Sequence, residues 1–178
     1  MIRFTKTNKN TKYHKNVKYL YEHAFPIEER PPFNMLMSCD NQDTYEISEE
    51  DNFIGLITTV NYEDLLYIFF LAIRKKYRRH GYGTKILNEI MNNNKDKRIY
   101  LLAEDPDIES DNKVERNNRI SFYKKNGLYS TNVKIKEYGC DYVVLSNNKK
   151  VTKTDFLMTM RYIIGDDWFN KYYVKNVS

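Results

Sequence analysis

The feature that most constrains the fold is the apolar run Leu65–Ile73, which is followed by a basic turn with two glycines and then by an amphipathic segment. Consecutive apolar positions are typical of a central strand that is covered on both faces. After the turn, apolar residues recur at positions 86, 87, 90 and 91, which is the spacing of an amphipathic helix. The succession predicts a strand, a turn and a helix within a mixed sheet.

Shorter segments on both sides of this unit also read as strands or helices. Strand-like stretches cover residues 2–5, 44–48, 53–60, 99–103, 128–135 and 141–145, and helical spacing covers residues 13–24, 33–37, 116–126 and 152–164. Pro26 and the pair Pro31-Pro32 place a loop between the first two helices. Alternating strands and helices with a strand-rich end predict an α/β or α+β fold. Without an internal repeat or a long linker, we expect one domain over residues 1–178.

Composition excludes several classes of protein. Cys39 and Cys140 lie far apart without a neighbouring Cys or His, so we expect neither a metal site nor a disulfide framework. The start of the chain is polar and carries no stretch of signal-peptide or membrane length, which favours a cytoplasmic protein without a membrane partner. The net charge of +5 suits a phosphate-bearing ligand but also an ordinary solvated surface. Polar runs such as residues 147–150 are typical of exposed turns and lack the interleaved aromatics that stack bases.

The turn itself has the chemistry of a phosphate site. Its sequence is Arg78-Arg79-His80-Gly81-Tyr82-Gly83-Thr84. Glycine lets the backbone approach a ligand closely, and the first N–H groups of the following helix lack internal partners. Both properties suit a pyrophosphate. The turn lacks the Gly-Lys-Ser/Thr of a Walker loop and the third glycine of a dinucleotide fingerprint.

Three segments carry a family resemblance. The pattern Arg78-x-x-Gly81-x-Gly83 is similar to the pyrophosphate signature of the GNAT N-acetyltransferases. Residues 117–128 resemble a second segment of that family, with Leu128 where Phe is usual and Arg119 where a small residue is usual. Residues 24–33 also resemble the early loop of one bacterial branch of the superfamily.

The resemblance implies a GNAT-type fold, with a mixed, mostly antiparallel sheet of about six to seven strands and helices on both faces. It also implies acetyl-CoA as cosubstrate, transferred directly to an amine. A backbone N–H at Ala72 or Ile73 would polarise the thioester carbonyl. The cofactor-binding residues implied in this way are Leu71, Ala72, Ile73, Arg78, Arg79, His80, Gly81, Tyr82, Gly83, Thr84, Asn117 and Asn118.

Proton transfer needs further groups. Tyr123 lies at the family position that faces the departing sulfur, and a phenol of reference pKa about 10 can protonate a thiolate of about 8.5; alternatively its ring only packs beside Phe122. Glu104 ends a strand next to the cofactor strand and is the candidate general base, or it caps the turn that follows. Glu28 and Glu29 in the early loop are candidates for attracting a cationic substrate, or are simply solvated. Water could replace any side-chain base.

Three functions remain open from the sequence. The first is an N-acetyltransferase acting on the amine of a small molecule or peptide, with no specific nucleic acid as partner. The second is a non-catalytic acetyl-CoA-binding sensor or scaffold, and the third is a basic nucleic-acid-binding protein. Both monomer and homodimer are compatible with the sequence, because four aromatics near the end could close the core or form a dimer contact: Trp168, Phe169, Tyr172 and Tyr173.

Overall fold

The computed structural model describes residues 1–147 and 150–178. Asn148 and Lys149 lie outside the described residues, so the exposed turn predicted at 147–150 is described only at its ends. There, Asn147 lies in a bend and Lys150 is exposed.

The fold is α/β, with a mixed open sheet. The seven strands are β1 (Ile2–Lys6), β2 (Asp43–Glu49), β3 (Asn52–Tyr62), β4 (Leu65–Ile73), β5 (Arg98–Glu104), β6 (Tyr129–Glu137) and β7 (Cys140–Ser146). The helices are α1 (His14–Ala24), α2 (Phe33–Ser38), α3 (Tyr82–Asn93), α4 (Lys113–Lys125), α5 (Lys153–Ile164) and the short α6 (Asp166–Trp168). These bounds confirm the predicted fold class and most of the predicted elements.

The chain divides into two compact units. The first unit comprises Met1–Val60 and Ile68–Asn93, and the second comprises Asn61–Tyr67 and Asn94–Ser178. Both units are discontinuous in sequence, because the hairpin end between β3 and β4 belongs to the second unit. That the whole chain is one domain stays a prediction.

In the first unit, the strand order is β1-β2-β3-β4. β1 and β2 pair antiparallel, as do β2 and β3, with a register shift between Ile47 and Ser48. The apolar stripe of α1 packs with α2 on a core that includes Phe53, Phe70 and Ala72. Tyr21 of α1 meets Phe70 edge to face, with the ring centroids 5.1 Å apart. The helical spacing of apolar residues therefore correctly predicted the face of α1 that packs on the core of this unit.

In the second unit, the strand order is β5-β7-β6, with both pairings antiparallel. The hairpin end joins this unit through Tyr67, whose ring stacks on Tyr100 of β5 at 4.7 Å. α5 begins with a capping box, in which Thr152 and Asp155 each accept a backbone N–H of the other. Near the end of the chain, an unpredicted π-helical turn, Phe169–Tyr173, follows α6.

The four C-terminal aromatics fall into two pairs. Phe169 and Tyr173 are buried, whereas Trp168 is 53% and Tyr172 45% exposed. The buried pair, Phe169 and Tyr173, belongs to the core of the second unit, which agrees with the interpretation that these aromatics close the core. Among the described residues, no helix is both long and apolar enough to cross a membrane.

Candidate functional site

The end of β4 runs unusually close to β3. A Cβ atom added to Gly55 of β3 would collide with the backbone carbonyl oxygen of Ala72, so only glycine fits at this position. The backbone N–H of Arg74 donates to the carbonyl of Ile54 at 3.0 Å and ties the strand end to the same place. Gly55 was missed in the sequence, although a glycine inside an apolar strand pattern signals a close backbone approach. It fixes the course of the predicted cofactor strand at Ala72.

The basic turn follows as predicted and leads into α3. Arg79 and Gly81 both have left-handed backbones, with φ of 64° and 80°. A left-handed backbone at a non-glycine residue is costly, and in this chain it also occurs outside the turn, at Glu50, Glu63, Asn132 and Tyr138. The first helical hydrogen bond runs from the N–H of Lys85 to the carbonyl of Gly81, at 3.0 Å. The N–H groups of residues 82–84 lie in the first turn of α3, ahead of this bond, and no described side chain accepts from them.

Several cationic residues lie close in sequence to these N–H groups. The Arg78 guanidinium donates through Nε to the carbonyl of Ile73 at 2.9 Å, which holds it at the strand end. His80 is exposed, and its Nδ1 lies 2.7 Å from the carbonyl of Arg78. The cationic side chains of the turn and of the first turn of α3 are all exposed, namely Lys75, Lys76, Arg78, Arg79 and Lys85. This arrangement suits a multiply charged anion.

Two tyrosines tie the turn to the hairpin between β2 and β3. The Tyr82 hydroxyl donates to Glu49 Oε2 at 2.6 Å, and the Tyr77 hydroxyl donates to Asn52 Oδ1 at 3.0 Å. The hydrogen bond from Tyr82 holds the pKa of the Glu49 carboxyl below its usual value and raises the pKa of the Tyr82 phenol. The Tyr82 hydroxyl is therefore already hydrogen-bonded to Glu49. The backbone N–H of Tyr82 has no described side-chain acceptor and is the group that can bind a ligand. No local sequence pattern predicted the pairing of Tyr82 with Glu49.

In the second unit, Tyr123 lies in the last turn of α4. Its carbonyl accepts the N–H groups of Asn126 and Leu128, each at 3.0 Å, and Gly127 ends the helix with φ of 80°. The ring is half-buried beside Phe122, at 5.3 Å between centroids. No hydrogen bond joins the Tyr123 hydroxyl to any residue within 1–147 or 150–178. Burial raises the pKa of this phenol, and the nearby Arg119 charge acts in the opposite direction.

Glu104, the predicted base, is held by two guanidinium groups. Arg116 Nη2 lies 3.0 Å from its Oε1, and Arg119 Nη1 lies 2.8 Å from its Oε2. The Asn112 amide adds a contact of 3.3 Å to Oε1, and the carboxylate side chain is only 14% exposed. The adjacent Asp105, rather than Glu104, stabilises the following turn, because its Oδ1 accepts the N–H of Asp107 at 2.9 Å. Whether Glu104 acts as a base stays a prediction.

The remaining predicted residues are exposed or half-buried. Asn117 and Asn118 are exposed on α4, and the Asn117 amide donates to the carbonyl of Lys113 at 2.9 Å. Glu28 is exposed and Glu29 half-buried in a single 3-10 turn, Ile27–Glu29. Leu71 and Ile73 are half-buried at the end of β4. Gly83 is buried and Thr84 exposed in the first turn of α3.

A cavity of about 500 Å³ opens beside the 3-10 turn in the first unit. It combines charged, amide and apolar groups: Lys18, Glu22, Ile27, Arg30, Pro32, Phe33 and Asn34. The Arg30 guanidinium is fixed at one side, because it donates to the carbonyls of Phe25 and Glu22 at 3.1 and 3.3 Å. In the described part of the chain, neither Glu28 nor Glu29 lines this cavity. No cluster of described His, Cys, Asp or Glu side chains could hold a metal ion.

Several solved structures share this fold. A GNAT-family protein from Bacteroides thetaiotaomicron superposes with a TM-score of 0.75 at 20% identity, over 96% of this chain and 98% of that one. A GNAT-family acetyltransferase from Elizabethkingia anophelis with acetyl-CoA bound gives 0.57 at 13% identity, over 82% and 96%. Spermidine N-acetyltransferase from Vibrio cholerae, in complex with CoA and spermine, gives 0.62 at 12% identity, over 82% and 94%.

Sequence comparisons add a match to a family model. Comparison with curated proteins finds no match. A family model described as an acetyltransferase (GNAT) domain matches residues 40–127, which include β4, the basic turn, α3 and α4 up to Gly127. Over this stretch the chain is similar to a GNAT acetyltransferase domain, and it shares its fold with solved GNAT-family proteins.

Proposed function

We propose that the chain is an acetyl-CoA-dependent N-acetyltransferase that passes the acetyl group directly to an amine. The observation that carries the proposal is the β4–turn–α3 unit. It presents the N–H groups of residues 82–84 among exposed cations, inside the part of the chain that the family model matches.

The residues of this unit suit coenzyme A. A pyrophosphate at the start of α3 would accept hydrogen bonds from the free N–H groups and be neutralised by cations such as Arg78 and Arg79. The bound thioester supplies the activated acetyl group. Gly55 supports the next part of the proposal, because it fixes the backbone at Ala72, where a backbone N–H would polarise the thioester carbonyl.

Tyr123 is proposed as the general acid. It gives its proton to the sulfur as the carbon–sulfur bond breaks and the amine nitrogen bonds to the acetyl carbon. Its unpaired hydroxyl supports this role, because a phenol already bonded to a protein acceptor would be a poorer donor. The role is carried over from the family resemblance at residues 117–128.

The incoming ammonium must lose a proton before it attacks. Both oxygens of Glu104 are paired, which favours the alternative in which water removes this proton. Glu104 remains the side-chain candidate, and its substitution separates the two routes.

The cavity beside the 3-10 turn is the proposed binding place for the acceptor. Its volume is within the range of small-molecule sites, and it joins apolar surface to charged groups of both signs. Glu22 would attract the ammonium, whereas Ile27 and Phe33 would contact an apolar part of the molecule. We therefore expect acceptors that carry an apolar group near the amine.

The first test is a thermal melt with acetyl-CoA, with ATP and NAD as controls. A ligand at one hundred times its dissociation constant adds about 2.7 kcal/mol. For a chain of this size, that corresponds to a rise in Tm of roughly 5–10 °C. A rise with acetyl-CoA but not with ATP or NAD is expected. No selective rise in a folded sample would contradict the proposal.

Turnover distinguishes the enzyme from the second candidate, a non-catalytic acetyl-CoA sensor. The pairing of Glu104 is the observation that favours the sensor, since it leaves the predicted base without a free oxygen. A panel of amines is mixed with acetyl-CoA, and thiol release is followed with a thiol reagent. Release that depends on an amine supports the enzyme. Binding without release by any amine supports the sensor.

A further inference from the structure

Arg119 and Tyr123 are one helical turn apart on α4, so their side chains share a face of the helix. Long side chains on a helix lean toward its N-terminus, which directs the side chain of Tyr123 toward the turn that carries Arg119. Arg119 stands where the family usually has a small residue, so its charge beside the proposed acid is a property of this chain.

Glu104 determines where this charge lies. It receives Arg119 Nη1 at 2.8 Å and Arg116 Nη2 at 3.0 Å, and its own side chain is almost buried. Arg116 also donates to the carbonyl of Asp105 at 3.2 Å, which ties α4 to the end of β5. The Arg119 side chain is 46% exposed, so its pairing with Glu104 does not bury it.

Some of the other charges near this place are paired with one another, whereas two lysines on α4 are exposed. Lys134 of β6 lies 2.7 Å from Asp105 and 3.4 Å from Asp107. On α4, Lys124 and Lys125 are exposed in the last turn. Arg119 is the charge that acts on the Tyr123 phenol, where it opposes the rise in pKa caused by burial.

We propose that Arg119, held by Glu104, stabilises the phenolate that Tyr123 becomes when it gives its proton to the departing thiolate. In this step the O–H bond of Tyr123 breaks, an S–H bond forms, and the phenolate later recovers a proton from water. Arg119 is a positioning residue, because it acts through Tyr123 and contacts no reacting atom. This inference rests on the proposed function.

The test compares Arg119→Met with Arg119→Lys, because the first removes the charge and the second keeps it. Tyrosines are replaced by a fluorinated tyrosine, whose more acidic phenol titrates while the protein is folded. Fluorine NMR then follows each phenol against pH, and Tyr123→Phe identifies the signal of interest. Arg119→Met is expected to move the titration of Tyr123 to higher pH, whereas Arg119→Lys leaves it near that of the unsubstituted protein.

The same variants are assayed for turnover, with thermal melts to confirm folding. Arg119→Met is expected to lower kcat at neutral pH by roughly three- to tenfold, and to move the alkaline limb of kcat to higher pH. A purely structural role for Arg119 would lower kcat at all pH values without moving that limb.

The outcomes separate the two claims. An unchanged Tyr123 titration in folded Arg119→Met overturns the inference, whatever the activity. A shifted titration in a protein that binds acetyl-CoA but acetylates no amine overturns the proposed function and leaves the electrostatic coupling supported.

Discussion

The basic turn of the first unit leaves its cations exposed, whereas two guanidinium groups on α4 of the second unit are paired with Glu104. In the turn, Lys75, Lys76 and Arg79 have no ion-pair partner within residues 1–147 and 150–178. At α4, Arg116 and Arg119 share one nearly buried carboxylate. Exposed, unpaired charge is suited to binding an anion, and paired charge is suited to holding a helix in position. This contrast agrees with the proposal that the turn binds the cofactor, and the proposed chemistry at Tyr123 of α4 rests on the family resemblance.

Tyr123→Phe tests this division with the largest expected effect. Removing the hydroxyl should lower kcat by about 10²–10⁴-fold, because the leaving thiolate loses its acid, while the dissociation constant for acetyl-CoA stays unchanged. Steady-state rates and calorimetric titration measure the two quantities. Tyr129→Phe, at an exposed position just beyond the helix, is the control. A Tyr123→Phe variant with normal kcat would show that the chemistry is not carried by α4.

The turn is tested by the triple variant Lys75→Gln, Lys76→Gln and Arg79→Gln. Affinity for coenzyme A should fall roughly tenfold or more, and the loss should shrink at high salt, because exposed charges are screened. Stability without ligand should change by less than about 0.5 kcal/mol. Isothermal titration at two salt concentrations measures the effect, with Lys15→Gln on exposed α1 as control. Unaltered affinity would remove the turn from the binding site.

Glu104→Gln tests the paired guanidinium groups of α4. Loss of the carboxylate leaves two guanidinium groups with a weaker partner and should cost about 2 kcal/mol of the free energy of unfolding. The acidic limb of kcat/KM should remain if water is the base. Denaturant unfolding and a pH–rate profile test both points, with Glu115→Gln on the exposed face of α4 as control. Unchanged stability with a lost acidic limb would instead identify Glu104 as the base.

Acid pH should lower the free energy of unfolding through the Asp105–Lys134 pair, by less than the Glu104→Gln substitution does. Asp105 is buried, which alone would raise its pKa, but the hydrogen bond from Lys134 brings the pKa below its usual 3.8. A group with a lowered folded pKa stabilises the protein above its unfolded value and loses that contribution as pH falls through the folded one. The stability difference from Asp105→Asn should therefore shrink below about pH 3.8, by less than about 1 kcal/mol.

Urea unfolding at several pH values measures this difference, and Asp111→Asn at an exposed position should show no such dependence. A difference for Asp105→Asn that is constant with pH would show that the Lys134 pair does not stabilise the fold.

The sequence predicted the strand–turn–helix unit because its signals are local. The apolar run of β4, the spacing of Ile86 and Leu87, and the glycines of the turn all lie within one stretch of chain. The resemblance then supplied roles for residues whose chemistry alone is ambiguous, such as Tyr123.

The missed features join residues that are distant in sequence. Glu104 meets Arg119 across 15 positions, and Tyr82 meets Glu49 across 33. Such pairs depend on strand register and helix orientation, which no local pattern reports. For the same reason, the sequence left Glu104 open as a base and did not show how Arg30 is fixed beside the cavity.

Gly55 links the substitutions that β3 can tolerate to the position of the β4 backbone. Because even a methyl group there would strike the Ala72 carbonyl, the residue opposite the cofactor strand is constrained without carrying a side chain. A survey of tolerated substitutions should therefore rank position 55 among the least permissive in β3, ahead of neighbours with far larger side chains. Transplanting β4 and its turn into another protein would require the accompanying glycine to move with them.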